Sequence, residues 1–136
     1  MSLYLLDTNI ASHVIRGDRL DISRRLALLP MEEIAISAVT EGELLYGLAK
    51  RSHPPVLTER VRQFLLRVDV LAWDRDVARA YADLRASCET KGASLAPLDM
   101  MIAGHAIAAS AVLVTKDKPF SLAPEPLRME NWDASG

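Results

Sequence analysis

The chain has 136 residues, half of them hydrophobic, with a formal net charge of -2 and a single cysteine. That length and apolar content suit one domain over residues 1–136 with a full core, and exclude a disordered chain. The near-neutral balance excludes a protein that grips nucleic acid through a blanket of cations, and one cysteine excludes an internal disulfide or a cysteine-built zinc site.

Leu3 to Leu6 is a continuous apolar run that ends at Asp7, the pattern of a strand buried on both faces. It has no basic start and is too short for a signal peptide, and no apolar window reaches the length of a membrane span. A cytoplasmic protein without membrane contact is therefore expected. Asp7-Thr8-Asn9 offers capping side chains to a helix from about Ile10 to Arg16, stopped by Gly17. Asp21 to Leu29 reads as a second helix, with Ile22, Leu26 and Leu29 on one face. Ile34-Ala35-Ile36 is the second strand, and a helix over Thr40–Lys50 buries Leu44, Leu45 and Leu48. His53-Pro54-Pro55 reads as a loop. Val61, Phe64, Leu65 and Val68 recur at helical spacing, and Val70-Leu71 is a short strand. Asp74 opens a long helix with the stripe Val77, Tyr81, Leu84 and Cys88, closed by Gly92; Cys88 is a small buried apolar residue on it. Pro97 to Ala111 is helical and so apolar that deep burial follows. Val112–Val114 is a strand, Pro119 to Pro126 a loop, and Leu127–Met129 a last strand before Trp132.

Strands alternating with helices predict a three-layer α/β fold, with a mostly parallel sheet of about five short strands flanked by helices. In such a sheet ligands bind beyond the carboxyl ends of the strands. Asp7 follows the first strand, Glu43 lies in the first turn of the helix after the second, Asp99 opens the helix before the Val112 strand, and Asp117 follows that strand. All four acids can meet at one edge.

Each acid also has a plainer reading. Asp7 caps a helix, Thr40-Glu41-Gly42-Glu43 matches a capping box, Asp99 complements a helix dipole, and Asp117 is a turn residue. Against that, Asp7 interrupts an apolar strand and Asp99 opens a buried helix. Clustered carboxylates repel unless they take up protons or share a cation. Oxygen-only ligands select hard cations, Mg²⁺ or Mn²⁺, a chemistry suited to phosphodiester hydrolysis by an activated water.

These residues fall in an order that resembles a known family. Leu5-Leu6-Asp7-Thr8-Asn9 is similar to the opening of PIN-domain ribonucleases, and Ile36 to Gly47 to the second motif of their VapC-type toxin branch. Leu98 to Ala106 resembles the third motif, Leu113 to Asp117 the fourth, and Leu127 to Trp132 the closing strand. The resemblance implies a PIN-like fold and a metal-dependent endoribonuclease, the toxin of a bacterial toxin–antitoxin pair. It implies Mg²⁺ or Mn²⁺ held by Asp7 and Asp99, Glu43 as ligand or water-mediated support, and Thr8 or Thr115 orienting a ligand or the attacking water. The branch often carries Asn at the position of Asp117 and an acid three residues on, where this chain has Phe120. A VapB-like antitoxin docked on the apolar surface near Ile10–Leu29 and Leu44–Phe64, and a homodimer, are further implications.

Lys116 and Lys118 flank the expected edge and suit RNA phosphates, while Arg16, Arg19, Arg24 and Arg25 read first as a solvated face. Tyr46 suits either base stacking or packing. His105 is six residues after Asp99, so the two point apart on a helix, and packing is its expected role. A receiver-type phosphoacceptor is disfavoured because no second acid adjoins Asp7, and a haloacid-dehalogenase-type phosphatase because Asn9 stands where that chemistry needs Asp. The alternative that keeps the fold is a catalytically inactive PIN-like module that binds RNA or protein.

Overall fold

The computed structural model describes residues 2–116 and 126–133. Five parallel strands form one sheet in the order β3-β2-β1-β4-β5: β1 (Tyr4–Leu6), β2 (Ile34–Ser37), β3 (Asp69–Leu71), β4 (Val112–Val114) and β5 (Arg128–Glu130). Six α-helices connect them among the described residues: α1 (Thr8–Arg16), α2 (Leu20–Ala27), α3 (Ala38–Ala49), α4 (Pro55–Arg67), α5 (Arg75–Thr90) and α6 (Pro97–Ala108). The expected fold class is the one observed.

The central strands are apolar throughout because both faces are covered, and their side chains alternate between two cores. Tyr4, Leu6, Ile34, Ile36, Val112 and Val114 pack with residues of α1–α4, including Ile10, Ile22, Leu48 and Phe64. Leu5, Ala35 and Leu113 pack with Leu84, Cys88, Ile102 and Ala103 of α5 and α6. Each fully buried Leu or Ile contributes about 1.5–3 kcal/mol relative to exposure. Helix α6 buries six residues, as its composition predicts. It lies so close to α5 that a Cβ on Gly104 would stand 2.8 Å from Tyr81 Cα.

Several boundaries differ from the sequence reading, for identifiable reasons. Helix α1 starts at Thr8 because Asp7 itself is its N-cap, and it ends at Gly17 in the left-handed region, as expected. Helix α3 starts at Ala38, because the Ser37 hydroxyl caps it by accepting from Val39 N at 3.1 Å. Thr40 and Glu43 are therefore inside the helix and form no capping box, and Glu43 lies beyond its first turn. Leu45, expected in the core, is 46% exposed; it lies a third of a turn from Leu44, off the face that Leu44 and Leu48 bury. Pro55 belongs to α4, where its fixed φ and missing N–H suit the first helical position. Helix α2 ends at Ala27, and α6 ends at Ala108 before Ser110 adopts a positive φ. The last strand is shifted by one residue. The loop expected over 119–126 lies almost wholly outside the described residues.

The arginine cluster is not uniformly a solvated face. Arg25 Nη2 donates to Glu130 Oε1 at 3.0 Å and its guanidinium stacks over Trp132, whose Nε1 donates to the same carboxylate oxygen at 3.0 Å. Trp132 in turn packs on Tyr4. This contact pins α2 to the end of β5.

Candidate active site

A parallel sheet sends every strand's carboxyl end to one edge, and the connecting helices begin there. Asp7 and Thr115 follow directly on β1 and β4, and Ser37 is the last residue of β2. Helix α6 precedes β4, so its first turn, with Asp99, belongs to the same edge.

Asp7 is 1% exposed. Its backbone N–H continues the ladder to Val114 O at 3.0 Å, and its Oδ1 accepts from Ile10 N at 2.8 Å. The plain capping reading thus holds for one carboxylate oxygen, and the helix N-terminus offsets part of the cost of burying the charge. Glu43 is positioned across the site from α3. Its Oε1 accepts from the Thr8 hydroxyl at 2.8 Å, and Thr8 Oγ1 lies 3.2 Å from the fully buried Thr40 Oγ1. Thr8 has one hydroxyl proton, and the carboxylate is the stronger acceptor for it. Two neighbouring elements are joined in this way by a threonine between two acids. Asp99 is half-buried in the first turn of α6, whose N-cap, Ala96, supplies no side-chain bond.

Thr115 is buried, and its N–H donates to Glu130 O at 3.0 Å. Lys116, expected to face RNA, lies 3.7 Å from Asp133 Oδ2. Asp133 is 4% exposed and was not singled out from sequence, although its place just past the last strand marks the same edge. Asp117 and Lys118 lie outside the described residues. Among the described residues, no three His, Cys, Asp or Glu side chains stand together as a ready metal cage.

A second unforeseen feature is the pairing of His105 Nδ1 with Ser37 Oγ at 2.7 Å. His105 is 2% exposed, so packing is its role, as its helical phase predicts. The bond ties α6 to the start of α3. His13 likewise has a local partner, Asp18 Oδ1 at 2.8 Å. Burial pushes the His105 imidazole below the usual histidine range, while Asp74 pulls the other way. A pKa lower in the folded than in the unfolded chain means that the unfolded chain takes the proton first. This share of stability is complete above the ordinary value of 6.5 and is lost as pH falls from there toward the folded value. The urea midpoint is expected to drop between about pH 7.5 and about pH 5.5, with a shallower drop in His105→Gln. Equal slopes in the two proteins would remove His105 as the cause.

Beside Thr8 and Glu43 a groove of about 160 Å³ opens between α1, α3 and α4. Arg16, Lys50 and Arg51 line it, with Ser12 and Gly47. A second, more apolar groove is lined by Val14, Ile15, Leu26, Met31 and Phe64, together with Glu59, Arg60, Gln63 and Arg67 of α4. It lies within the surface expected to dock a partner. No helix among the described residues is long and apolar enough to cross a membrane.

The PIN-domain family model matches residues 4–126. The chain is 35% identical to ribonuclease VapC2 of Rickettsia felis, over 96% of this chain and 98% of that one. It is 33% identical to the tRNA(fMet)-specific endonuclease VapC of Shigella flexneri, over 97% and 99%. Among solved structures it superposes on a chain of VapBC2 from Rickettsia felis, crystallised with a promoter DNA fragment, with a TM-score of 0.88, 34% identity and coverage of 96% and 99%. FitAcB from Neisseria gonorrhoeae gives a TM-score of 0.85 at 31% identity, with coverage of 96% and 98%. The parallel sheet, the acid-bearing edge and these full-length likenesses lead to one assignment: the chain belongs to the PIN-domain family, among its VapC-type ribonucleases.

Proposed function

We propose that this protein is a Mg²⁺- or Mn²⁺-dependent endoribonuclease, the toxin of a toxin–antitoxin pair, that hydrolyses RNA phosphodiester bonds until a VapB-like partner inhibits it. The observation that carries the reading is Asp7, a carboxylate 1% exposed at the carboxyl end of the central strand. The relatives' nuclease names and the solved toxin–antitoxin complexes support it.

The donor chemistry fits a hard cation, because Asp7, Asp99 and Glu43 offer oxygen alone. In this reading Asp7 and Asp99 hold the ion, Glu43 supports it directly or through water, and Asp117 completes the acid set. When bound, such an ion offsets phosphodiester charge and raises the acidity of nearby water. Thr8 fixes the Glu43 carboxylate, and Thr115 presents a hydroxyl at the same edge. Purified protein is expected to cleave RNA with Mg²⁺, to stop in EDTA, and to lose activity in Asp99→Asn. Cleavage that survives both EDTA and Asp99→Asn overturns the proposal. An inert parent that binds no divalent metal points instead to the inactive module.

Thr8→Val keeps the shape and deletes the donor to Glu43. Activity is expected to fall about 10- to 100-fold, the usual cost of losing a group that orients a ligand. Thr8→Ser, which keeps the hydroxyl, is expected to restore most of it, and equal activity in both variants would deny Thr8 this role.

The antitoxin's seat in this reading is the apolar groove between α1, α2 and α4. A homodimer of toxin subunits completes the assembly. Purification of the natively expressed complex is expected to yield a small partner, one of whose Arg or Lys side chains reaches the acids.

A further inference from the structure

The groove beside Glu43 has a chemistry that the acid centre does not use. Along α3 and its C-cap, Glu43, Tyr46 and Lys50 follow one another at i, i+3 and i+7, one line on the helix surface. Tyr46 is 64% exposed, and Lys50 Nζ lies 5.3 Å from its ring centroid. Lys50 and Arg51 both line the groove, and among the described residues neither enters an ion pair. Arg16, on the opposite wall, is already shared with Asp18 at 3.3 Å. Gly47 lies between these side chains, and a Cβ built on it meets nothing within 4 Å. The groove is therefore open at its middle, acidic at one end and cationic at the other.

We propose that this groove seats the single-stranded RNA segment next to the scissile bond, with Lys50 and Arg51 holding phosphates and Tyr46, beside the groove and outside its lining, stacking on a base. The inference rests on the endoribonuclease reading and extends it to a substrate form and to three positioning residues. An exposed ring beside a cation matches a polymer in which flat bases alternate with phosphates. An acidic peptide would use the cations and leave the ring idle. The seven residues from Glu43 to Lys50 rise about 10.5 Å, so the cations act on the flanking strand and not at the reacting phosphate. A chain of net charge -2 thereby gains a local anion site without a global one.

The test measures fluorescence anisotropy of a labelled single-stranded oligoribonucleotide of mixed sequence on the full-length protein, in EDTA so that the probe stays intact. The same sequence as a duplex and a labelled polyglutamate serve as comparisons. The parent is expected to prefer the single strand. Tyr46→Ala is expected to weaken binding at least about fivefold, and Tyr46→Phe to keep it, since stacking needs the ring alone. In Lys50→Gln/Arg51→Gln the slope of log affinity against log salt is expected to flatten by about 1.4, two phosphates' worth on a single strand. Gly47→Met removes no charge and fills the groove, so it is expected to weaken binding too. With Mg²⁺ the Tyr46 and Lys50/Arg51 variants are expected to raise KM with little change in kcat. Parent-like affinity and salt slope in all these variants overturn the inference, as does polyglutamate binding that alone responds to them. If those variants bind like the parent and Asp7→Asn still abolishes cleavage, the groove assignment fails and the nuclease reading stands. A parent that neither binds nor cleaves RNA overturns both.

Discussion

Asp7→Asn is expected to lower Mg²⁺-supported RNA cleavage by at least about a hundredfold while leaving the fold intact. The two halves of that expectation come from the two jobs of one side chain. Oδ1 caps α1 by accepting from Ile10 N, and an asparagine oxygen accepts that bond equally well. The negative charge, in contrast, disappears, and with it the proposed hold on a divalent cation. Each decade of rate is worth about 1.4 kcal/mol of transition-state stabilisation, so a hundredfold loss asks about 2.7 kcal/mol of this carboxylate, well within what a metal-based site supplies. Asp7→Ala is expected to lose the same activity and in addition about 1 kcal/mol of stability, the usual value of a cap. The measurements are single-turnover cleavage with Mg²⁺ and urea unfolding by circular dichroism. Near-parental cleavage by Asp7→Asn would leave the capping role as the whole account of this residue.

Gly104→Ala is expected to destabilise the protein by about 1–2 kcal/mol, although alanine is the better helix former. The propensity gain is about 1 kcal/mol. Against it, the new methyl would stand 2.8 Å from Tyr81 Cα, 2.9 Å from its Cβ and 3.1 Å from its N. These atoms belong to or adjoin the α5 backbone and cannot rotate aside, so the two helices must separate. Overpacking of this kind costs about 1–3 kcal/mol, and the separation also loosens the contacts around Leu84, Cys88 and Ala103. Because α6 carries Asp99 at its start, cleavage is expected to fall in the protein that remains folded. Urea unfolding of parent and variant checks the first point. A more stable variant would show that α6 can move away from α5 at no cost.

Much of this was legible because the strongest signals are local. Tyr4-Leu5-Leu6 and Val112-Leu113-Val114 are apolar on both faces, which leaves a central parallel strand as the economical reading. Asp7 stands out because it ends such a run. The start of α3 was less legible: Ser37 and Thr40 are both competent caps, and only the backbone decides that Ser37 serves. That small shift matters, since it frees Glu43 from a capping box and hands its carboxylate to Thr8. Other contacts were out of reach because they join distant segments. Arg25 and Glu130 are 105 residues apart, and His105 and Ser37 are 68 apart. No periodicity in the sequence encodes such pairs. Lys116 illustrates the cost: it reads as a free cation until Asp133 is brought beside it.

The position of β1 in the sheet also bears on how the chain reaches this state. The strand formed by Tyr4–Leu6 is the middle of five, and its two neighbours start at Ile34 and Val112. On a ribosome it emerges before both of these partners and waits for each. Its register with Val112 closes only after most of the chain has been made, and such distant pairings are slow to form. Asp7, at the end of β1, thus gains its backbone bond to Val114 late. A sheet built this way acquires its functional edge only when β4 is laid beside β1.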